Sequence, residues 1–229
     1  MTRGYFITGT DTEVGKTIVT AALIHAFAER GEKVTGMKPI ATGCIQTDSG
    51  LHNEDADLLM QYSSVEIPYA QVNPYAYEPA VSPHLAAKKH GESIDFGKIM
   101  TVVDQVREQT DWLIVEGIGG WQVPLNDTQT VADLAREVNY PVILVVGTRL
   151  GCISHALLTM ESIQRSGLEI GGWVANIMDR NVNFLPDVID TLRLRLNVPL
   201  VGIVPPFKLV NPKKVSEHLS IDRLIDVGG

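Results

Sequence analysis

Gly9-Thr10-Asp11-Thr12-Glu13-Val14-Gly15-Lys16-Thr17 follows directly on the apolar run Tyr5-Phe6-Ile7, and its reading decides the fold. The order is a short strand, a glycine-bearing loop, then Gly-Lys-Thr opening a helix. Such a loop is a phosphate cradle. Its backbone N–H groups and the helix N-terminus point at an anion, the Lys16 ammonium reaches the β- and γ-phosphates, and the Thr17 hydroxyl faces Mg²⁺. A nucleoside triphosphate is the first ligand to consider. The spacing is uncommon: counted back from Gly15, the first glycine of the usual P-loop falls at Thr10, and the chain has Gly9 instead. A tight glycine turn between strand and helix is the alternative reading of the same residues.

Outward from the loop, apolar runs alternate with helical patterns. Strands are expected at 4–8, 33–37, 112–116, 141–147, 171–177 and 200–204. Trp112-Leu113-Ile114-Val115 and Pro141-Val142-Ile143-Leu144-Val145-Val146 are almost wholly apolar. Strands buried on both faces read this way, which indicates an α/β fold with a parallel sheet flanked by helices on both faces. Helices are expected at 16–30, 54–62, 95–109, 130–138, 152–166 and 184–196, with Gly31 as a C-terminal cap. Residues 63–94 contain Pro68, Pro74, Pro79 and Pro83 with little periodicity. They read as an insertion, a lid or plain surface, with one short helix near 84–89. No linker or repeat interrupts the chain, so 1–229 reads as a single P-loop NTPase-like domain.

Composition narrows the class. Among 229 residues, 19 basic side chains stand against 27 acidic ones, a net charge of −8. That argues against general nucleic-acid binding and a polybasic membrane patch. Two cysteines, Cys44 and Cys152, in no Cys-x-x-Cys pattern, read as reduced thiols of a cytoplasmic protein. The start, Met-Thr-Arg-Gly-Tyr, lacks the apolar stretch of a signal peptide. No apolar run reaches the roughly 18 residues of a membrane span.

Four more positions at or after strand ends carry chemistry, where ligands gather in open parallel sheets. Lys38 is followed by Pro39 and reads as a second cation beside Lys16, or as a solvated strand-end lysine. Asp55 opens a helix and reads as a metal ligand, or as a dipole partner or cap. Glu116 ends an apolar strand before Gly117-Ile118-Gly119-Gly120, the place of a carboxylate holding Mg²⁺ opposite Thr17. A buried strand seldom ends in an acid without a partner. Asn176 follows a late strand, where an amide can pair with adenine or simply make a turn.

Together these stretches resemble the dethiobiotin synthetase family, the biotin-pathway ligases. The resemblance rests on residues 9–17, Lys-Pro-Ile-Ala-Thr-Gly at 38–43, Val-Glu-Gly-Ile-Gly-Gly-Trp at 115–121, and Val-Ile-Leu-Val-Val-Gly at 142–147. Leu-Gly-Cys-Ile-Ser-His-Ala at 150–156 and Gly-Trp-Val-Ala-Asn at 172–176 extend it, as do Val-Asn-Pro-Tyr at 72–75 and Ser-Pro-His at 82–84. The early glycine of the loop is that family's own pattern. The resemblance implies that ATP and Mg²⁺ serve to carboxylate 7,8-diaminopelargonic acid with CO₂ and close its ureido ring. It implies Thr17, Asp55 and Glu116 as Mg²⁺ ligands, and Lys38, Lys16 and Thr12 as the catalytic groups near the carbamate. For the nucleotide it implies Glu13, Val14, Gly15, Lys16, Thr17 and Ile18, then Asp55, Glu116, Gly117, Ile118 and Gly119. Asn176, Ile177, Pro205, Pro206 and Phe207 would border the adenine. The diamine would meet Thr42 and Lys38. A homodimer is implied too, in which Gly151, Cys152, Ile153 and Ser154 of one subunit hold the substrate carboxylate in the other.

The chain departs from that family at Thr42, where some members have serine, at Ser154, where asparagine is common, and in two further places. A later tyrosine that some members use on the substrate carboxylate is missing, the last tyrosine being Tyr140. Asn211-Pro212-Lys213 stands where relatives have a ribose-contacting acid. The main rival is a P-loop ATPase switch of the septum-site or partition kind. Those proteins carry a lysine five residues before the loop lysine, where this chain has Asp11, and often a basic amphipathic C-terminal anchor. Residues 221–229 are short and acidic instead. An amide ligase of cobalamin synthesis needs a glutaminase domain that the length does not allow. A nonenzymatic paralogue would have lost Lys38 and Thr42.

Overall fold

The computed structural model of the chain describes residues 2–178, 183–207 and 209–225. The first strand, β1 (Arg3–Gly9), enters the phosphate loop and leads into α1 (Lys16–Ala28). Then come β2 (Val34–Met37), β3 (Ile40–Thr42) and a small hairpin of β4 (Ile45–Thr47) and β5 (Gly50–His52). They are followed by α2 (Glu54–Tyr62), α3 (Tyr69–Val72), β6 (Tyr75–Tyr77), α4 (Pro83–Lys89) and α5 (Phe96–Arg107). The second half runs β7 (Trp112–Glu116), α6 (Val131–Val138), β8 (Val142–Thr148), α7 (Cys152–Arg165) and β9 (Ile170–Ile177). It ends with α8 (Leu185–Leu196), β10 (Leu200–Val204), α9 (Pro212–Ser216) and α10 (Asp222–Ile225).

Six strands make one parallel sheet in the order β10-β9-β8-β1-β7-β2. β1 is therefore central, and the sheet's winding reverses beside it, which is where a crevice opens in folds of this kind. Alternation along each strand sends side chains to opposite faces. Tyr5 and Ile7 join Trp112, Ile114, Ile143 and Val145 on one face, covered by Leu23 and Phe27 of α1 and Leu59 of α2. Phe6 joins Leu113, Val115, Val142 and Leu144 on the other, covered by residues of α5, α6, α7 and α8. Both faces are thus buried, as the continuous apolar runs require. The expected strands and helices all appear, within a residue or three of their expected ends. Gly31 has φ +81 and donates its N–H to Ala28 at 2.9 Å, ending α1 as a left-handed cap should.

The expectation for 63–94 needs correction. Its helix near 84–89 is α4, but the segment is neither plain surface nor unstructured. It also holds α3 and β6, and β6 pairs in parallel with β3, Ile40 opposite Tyr75 and Thr42 opposite Tyr77. Ile67, Val72, Tyr75 and Tyr77 are buried in the core. A three-residue strand is too short for alternation to register, and four prolines masked the rest.

Helix α6 starts on a reciprocal cap. The Thr130 N–H and hydroxyl donate to the Asp133 carboxylate at 2.7 and 2.8 Å, while the Asp133 N–H donates to the Thr130 carbonyl at 3.1 Å. Burial alone would raise the Asp133 pKa. Its bonds from Thr130 and the Arg136 guanidinium hold it below the usual carboxylate value. Asp133→Ala should cost about 1 kcal/mol, lowering the melting temperature by about 2–4 °C. Because the folded-state pKa is depressed, this contribution is present above the unfolded value and disappears as pH falls through the folded one. Denaturant melts of both proteins at neutral and acid pH should converge at the acid end.

Candidate active site

The carboxyl ends of β1, β7 and β2 bring the chemistry together by register. Ile7 lies opposite Glu116, and the Gly117 N–H donates to the Ile7 carbonyl at 2.9 Å. Thr10 donates to the Val145 carbonyl of β8 at 3.0 Å, fixing where the loop leaves the sheet. Met37 pairs with Val115 across β2 and β7, so Lys38 emerges next to Glu116. The loop itself needs backbone conformations of positive φ at Glu13 (58°) and Gly15 (87°).

Four charges meet in this crevice. The Lys38 ammonium donates to Glu116 Oε1 at 2.7 Å and also pairs with the Asp55 carboxylate. The Thr17 hydroxyl donates to the same Glu116 oxygen at 2.8 Å. Lys16 bends back over the loop, its Nζ donating to the Asp11 carbonyl at 3.0 Å. Lys38 is 4% exposed and Glu116 only 1%, so neither charge is solvated by bulk water. Each is tolerated only because the other is present. Burial would depress the Lys38 pKa, but Glu116 and Asp55 outweigh it and raise it. Burial would raise Asp55, and the Lys38 ammonium, aided by Thr17 and Lys16, holds it low instead. Lys16 has weaker compensation. Burial pushes it down to about 8, with Glu116 opposing and the nearby Lys38 charge adding to the drop.

The cleft around this cluster measures about 770 Å³. Thr12, Glu13, Gly15, Lys16, Thr17, Ile18, Lys38, Thr42, Asp55, Ile118 and Gly119 line it. Asn176, Ile177, Pro205, Pro206 and Phe207 line its other end. Val14, Glu116 and Gly117 do not: Val14 and Glu116 are buried, and Gly117 packs against Phe6 and Val131. Gly151, Cys152, Ile153 and Ser154 are also outside the lining. They form the start of α7, where Gly151 adopts φ 92° and no side chain caps the helix. Both cysteines are free and buried. The sequence reading missed Glu54, Leu58, Met178, Val204 and Val210, which also line the cleft. The helix-opening acid run was the one available signal for Glu54.

Two placements refine the expectations. Asn176 holds the loop: its Nδ2 donates to the Val14 carbonyl at 2.9 Å. Its Oδ1 is the atom left to accept from an adenine amino group. Asp55 does not cap α2; Asn53 does, accepting from the Asp55 and Ala56 N–H groups. Asp55 is thereby free to face Lys38.

A divalent cation fits the donor set. Among the described residues, Glu116 Oε2 is buried and has no hydrogen-bond partner, although its twin oxygen has two. A buried carboxylate oxygen without a partner leaves a place for a further ligand, and a cation is one that a carboxylate accepts. One hydroxyl and two carboxylates, with phosphate oxygens, make the sparse set that Mg²⁺ accepts.

Gly15 tests the loop geometry. A Cβ there would lie 2.2 Å from Asn176 Nδ2 and would carry a left-handed φ. Gly15→Ala should cost about 1–2 kcal/mol through the left-handed backbone alone. It should weaken triphosphate binding about tenfold or more, since 1.4 kcal/mol is a factor of ten. Titration with a fluorescent ATP analogue reads this directly; undiminished affinity would detach the Asn176–Val14 arrangement from nucleotide binding.

Comparison with known proteins adds the following. An AAA domain family model, AAA_26, matches residues 3–214. The ATP-dependent dethiobiotin synthetase BioD of Cellvibrio japonicus is 43% identical, over 98% of this chain and 98% of that protein. The protein of the same name from Pseudomonas aeruginosa PAO1 is 44% identical over 95% of this chain and 96% of its own length. Among solved structures, the MinC:MinD cell division protein complex of Aquifex aeolicus aligns with TM-score 0.61 at 15% identity. That match covers 99% of this chain and 96% of the other. A ParA family ATPase of Chlorobium tepidum aligns with TM-score 0.58 at 12% identity, covering 99% and 94%. At those identities the likeness is one of fold.

Proposed function

The chain belongs to the family of ATP-dependent dethiobiotin synthetases, and from that premise we propose a chemical role for each group in the cleft. The enzyme is a ligase. It uses ATP to convert 7,8-diaminopelargonic acid and CO₂ into dethiobiotin. One amine adds to CO₂ and loses a proton, giving a carbamate. A carbamate oxygen attacks the γ-phosphorus and ADP leaves, giving a carbamic–phosphoric anhydride. The second amine attacks the carbonyl carbon, phosphate departs, and the ureido ring is closed.

The obstacle is charge. A carbamate must approach a triphosphate, and two like charges ~4 Å apart repel by about 4 kcal/mol at an effective dielectric near 20. The observation that carries the reading is the buried Lys38 ammonium, fixed by Glu116 and Asp55 beside the phosphate loop. Lys38 and Lys16 offset the repulsion and stabilise charge on the transferring phosphoryl group. Thr12 stands at the carbamate end and Thr42 at the diamine. Glu13 and residues 14–18 hold the phosphates and the sugar side, with Ile118 and Gly119 closing the edge. Asn176, Ile177 and residues 205–207 take the adenine. Thr17, Asp55 and Glu116 would hold Mg²⁺, which when bound supplies positive charge to the phosphate oxygens.

Gly151–Ser154 lie outside their own chain's cleft, and Leu150 beside them is fully exposed. Their uncapped helix N-terminus suits a carboxylate. This favours a homodimer in which that segment completes the partner's site. Among the described residues no helix is long and apolar enough to cross a membrane. The switch-ATPase reading shares the fold, but Asp11 stands at the signature-lysine position and pairs with Arg149.

Purified protein given the diamine, bicarbonate, Mg²⁺ and ATP should yield dethiobiotin and ADP in equal amounts. ATP turnover indifferent to the diamine would overturn the ligase reading. Lys38→Ala should lower turnover by about a thousandfold, the scale of losing one preorganised transition-state donor, while ATP binding persists. Near-normal turnover would remove Lys38 from the chemistry. Sedimentation at micromolar concentration should show a dimer of about twice the 25.0 kDa chain mass.

A further inference from the structure

The segment between α2 and α5 has no part in the reaction just described, yet it holds the backbone of the residues that do. The Lys38 N–H donates to the Val72 carbonyl at 2.9 Å, and the Lys38 carbonyl accepts from Asn73 Nδ2 at 2.7 Å. Both main-chain groups of Lys38 are therefore satisfied by this segment. Asn73 Nδ2 also donates to the Tyr75 carbonyl at 3.2 Å, and its Oδ1 accepts from the Tyr69 hydroxyl at 3.1 Å. The Tyr69 oxygen in turn accepts the Asn53 N–H at 2.8 Å. Asn53 caps α2, its side chain accepting the Asp55 N–H at 3.2 Å, and it reaches the Thr42 carbonyl at 3.4 Å.

These bonds close a ring. From Lys38 the path runs through Asn73, Tyr69 and Asn53 to Asp55, and Asp55 pairs with Lys38 again. Asn73 is 3% exposed and Asn53 8%, so water is a poor substitute for either partner. The donors have a fixed sense. Burial pushes the Tyr69 phenol up to about 12 despite the bond from Asn53, so it stays a donor to Asn73 at working pH. His52 stacks on the Tyr69 ring, with centroids 3.9 Å apart and planes within 20°. The ring is thus set in place independently of its hydroxyl.

We propose that Tyr69 and Asn73 are positioning residues, which hold the Lys38 ammonium and the Asp55 carboxylate in register for phosphoryl transfer. The inference rests on the ligase reading above. Its physical basis is that displacement of about 1 Å in a reacting group can cost about a hundredfold in rate. Neither residue lines the cleft, and each acts on it only through these backbone and side-chain bonds.

Tyr69→Phe keeps the ring against His52 and deletes only the hydroxyl. It should lower kcat for dethiobiotin formation about tenfold, and Asn73→Ala about a hundredfold. The KM for ATP should stay within about twofold and the melting temperature of Tyr69→Phe within a few degrees. A crystal structure of Tyr69→Phe should show the Lys38–Asp55 pair displaced. Unchanged kcat overturns the proposal. So does a fall in kcat matched by a rise in the KM for ATP and a drop in melting temperature, because that is a merely structural role. Should Asn73→Ala fail to fold, Tyr69→Phe decides alone. Wild-type protein that makes no dethiobiotin overturns the ligase reading instead, and the position of Lys38 in the Tyr69→Phe crystal still decides the ring.

Discussion

A lysine ammonium and a glutamate carboxylate, both almost wholly excluded from water, sit within 2.7 Å of each other at the end of the central sheet. Two charges so placed cost several kcal/mol each to desolvate, and only close pairing with full hydrogen bonding offsets that. The surrounding architecture meets this demand. β7 delivers Glu116 and β2 delivers Lys38 from adjacent strands in parallel register. The loop after β1 supplies Thr17 to the carboxylate. α2, capped by Asn53 and not by Asp55, leaves the Asp55 side chain for Lys38. Remove the ion pair and none of these placements has a reason.

The same pairing gives the cleft its chemistry. Two lysines and two carboxylates leave the site near neutral without nucleotide, so the cations survive burial. Their partners do not satisfy them equally. Lys38 is raised by two carboxylates, whereas burial brings Lys16 down to about 8. The arriving phosphates therefore meet one lysine that is firmly charged and one whose charge they themselves stabilise. Glu116 keeps one buried oxygen without a partner among the described residues.

Strands buried on both faces announced themselves as continuous apolar runs, so the sheet was legible from the residues alone. The phosphate loop, Lys38 and Glu116 were legible as well, because a charged residue ending an apolar strand demands an explanation. What lay hidden were bonds between side chain and backbone. Asn73 and Tyr69 have no periodicity to display, and β6 is three residues long. Nothing in residues 63–94 signals that they satisfy the backbone of Lys38, 25 or more positions earlier. Asn176 illustrates a milder case: its place at the end of a late strand was legible, but its bond to the Val14 carbonyl was not. The Gly151–Ser154 segment could be connected to the site only through resemblance, since it stands apart from its own chain's cleft.

Kinship of fold with septum-site and partition ATPases makes the position of the second cation informative. In this chain the loop offers Asp11 where those proteins, by the pattern weighed above, offer a lysine, and Asp11 is neutralised by Arg149. The additional positive charge comes from β2, inside the same chain, through Lys38. A cation on a loop can be carried toward or away from a phosphate by the loop's own movement. A cation at a buried strand end, tied at both backbone groups, cannot move without unmaking hydrogen bonds at Val72 and Asn73. Such a group suits steady charge stabilisation at one reacting centre better than a nucleotide-driven change of shape.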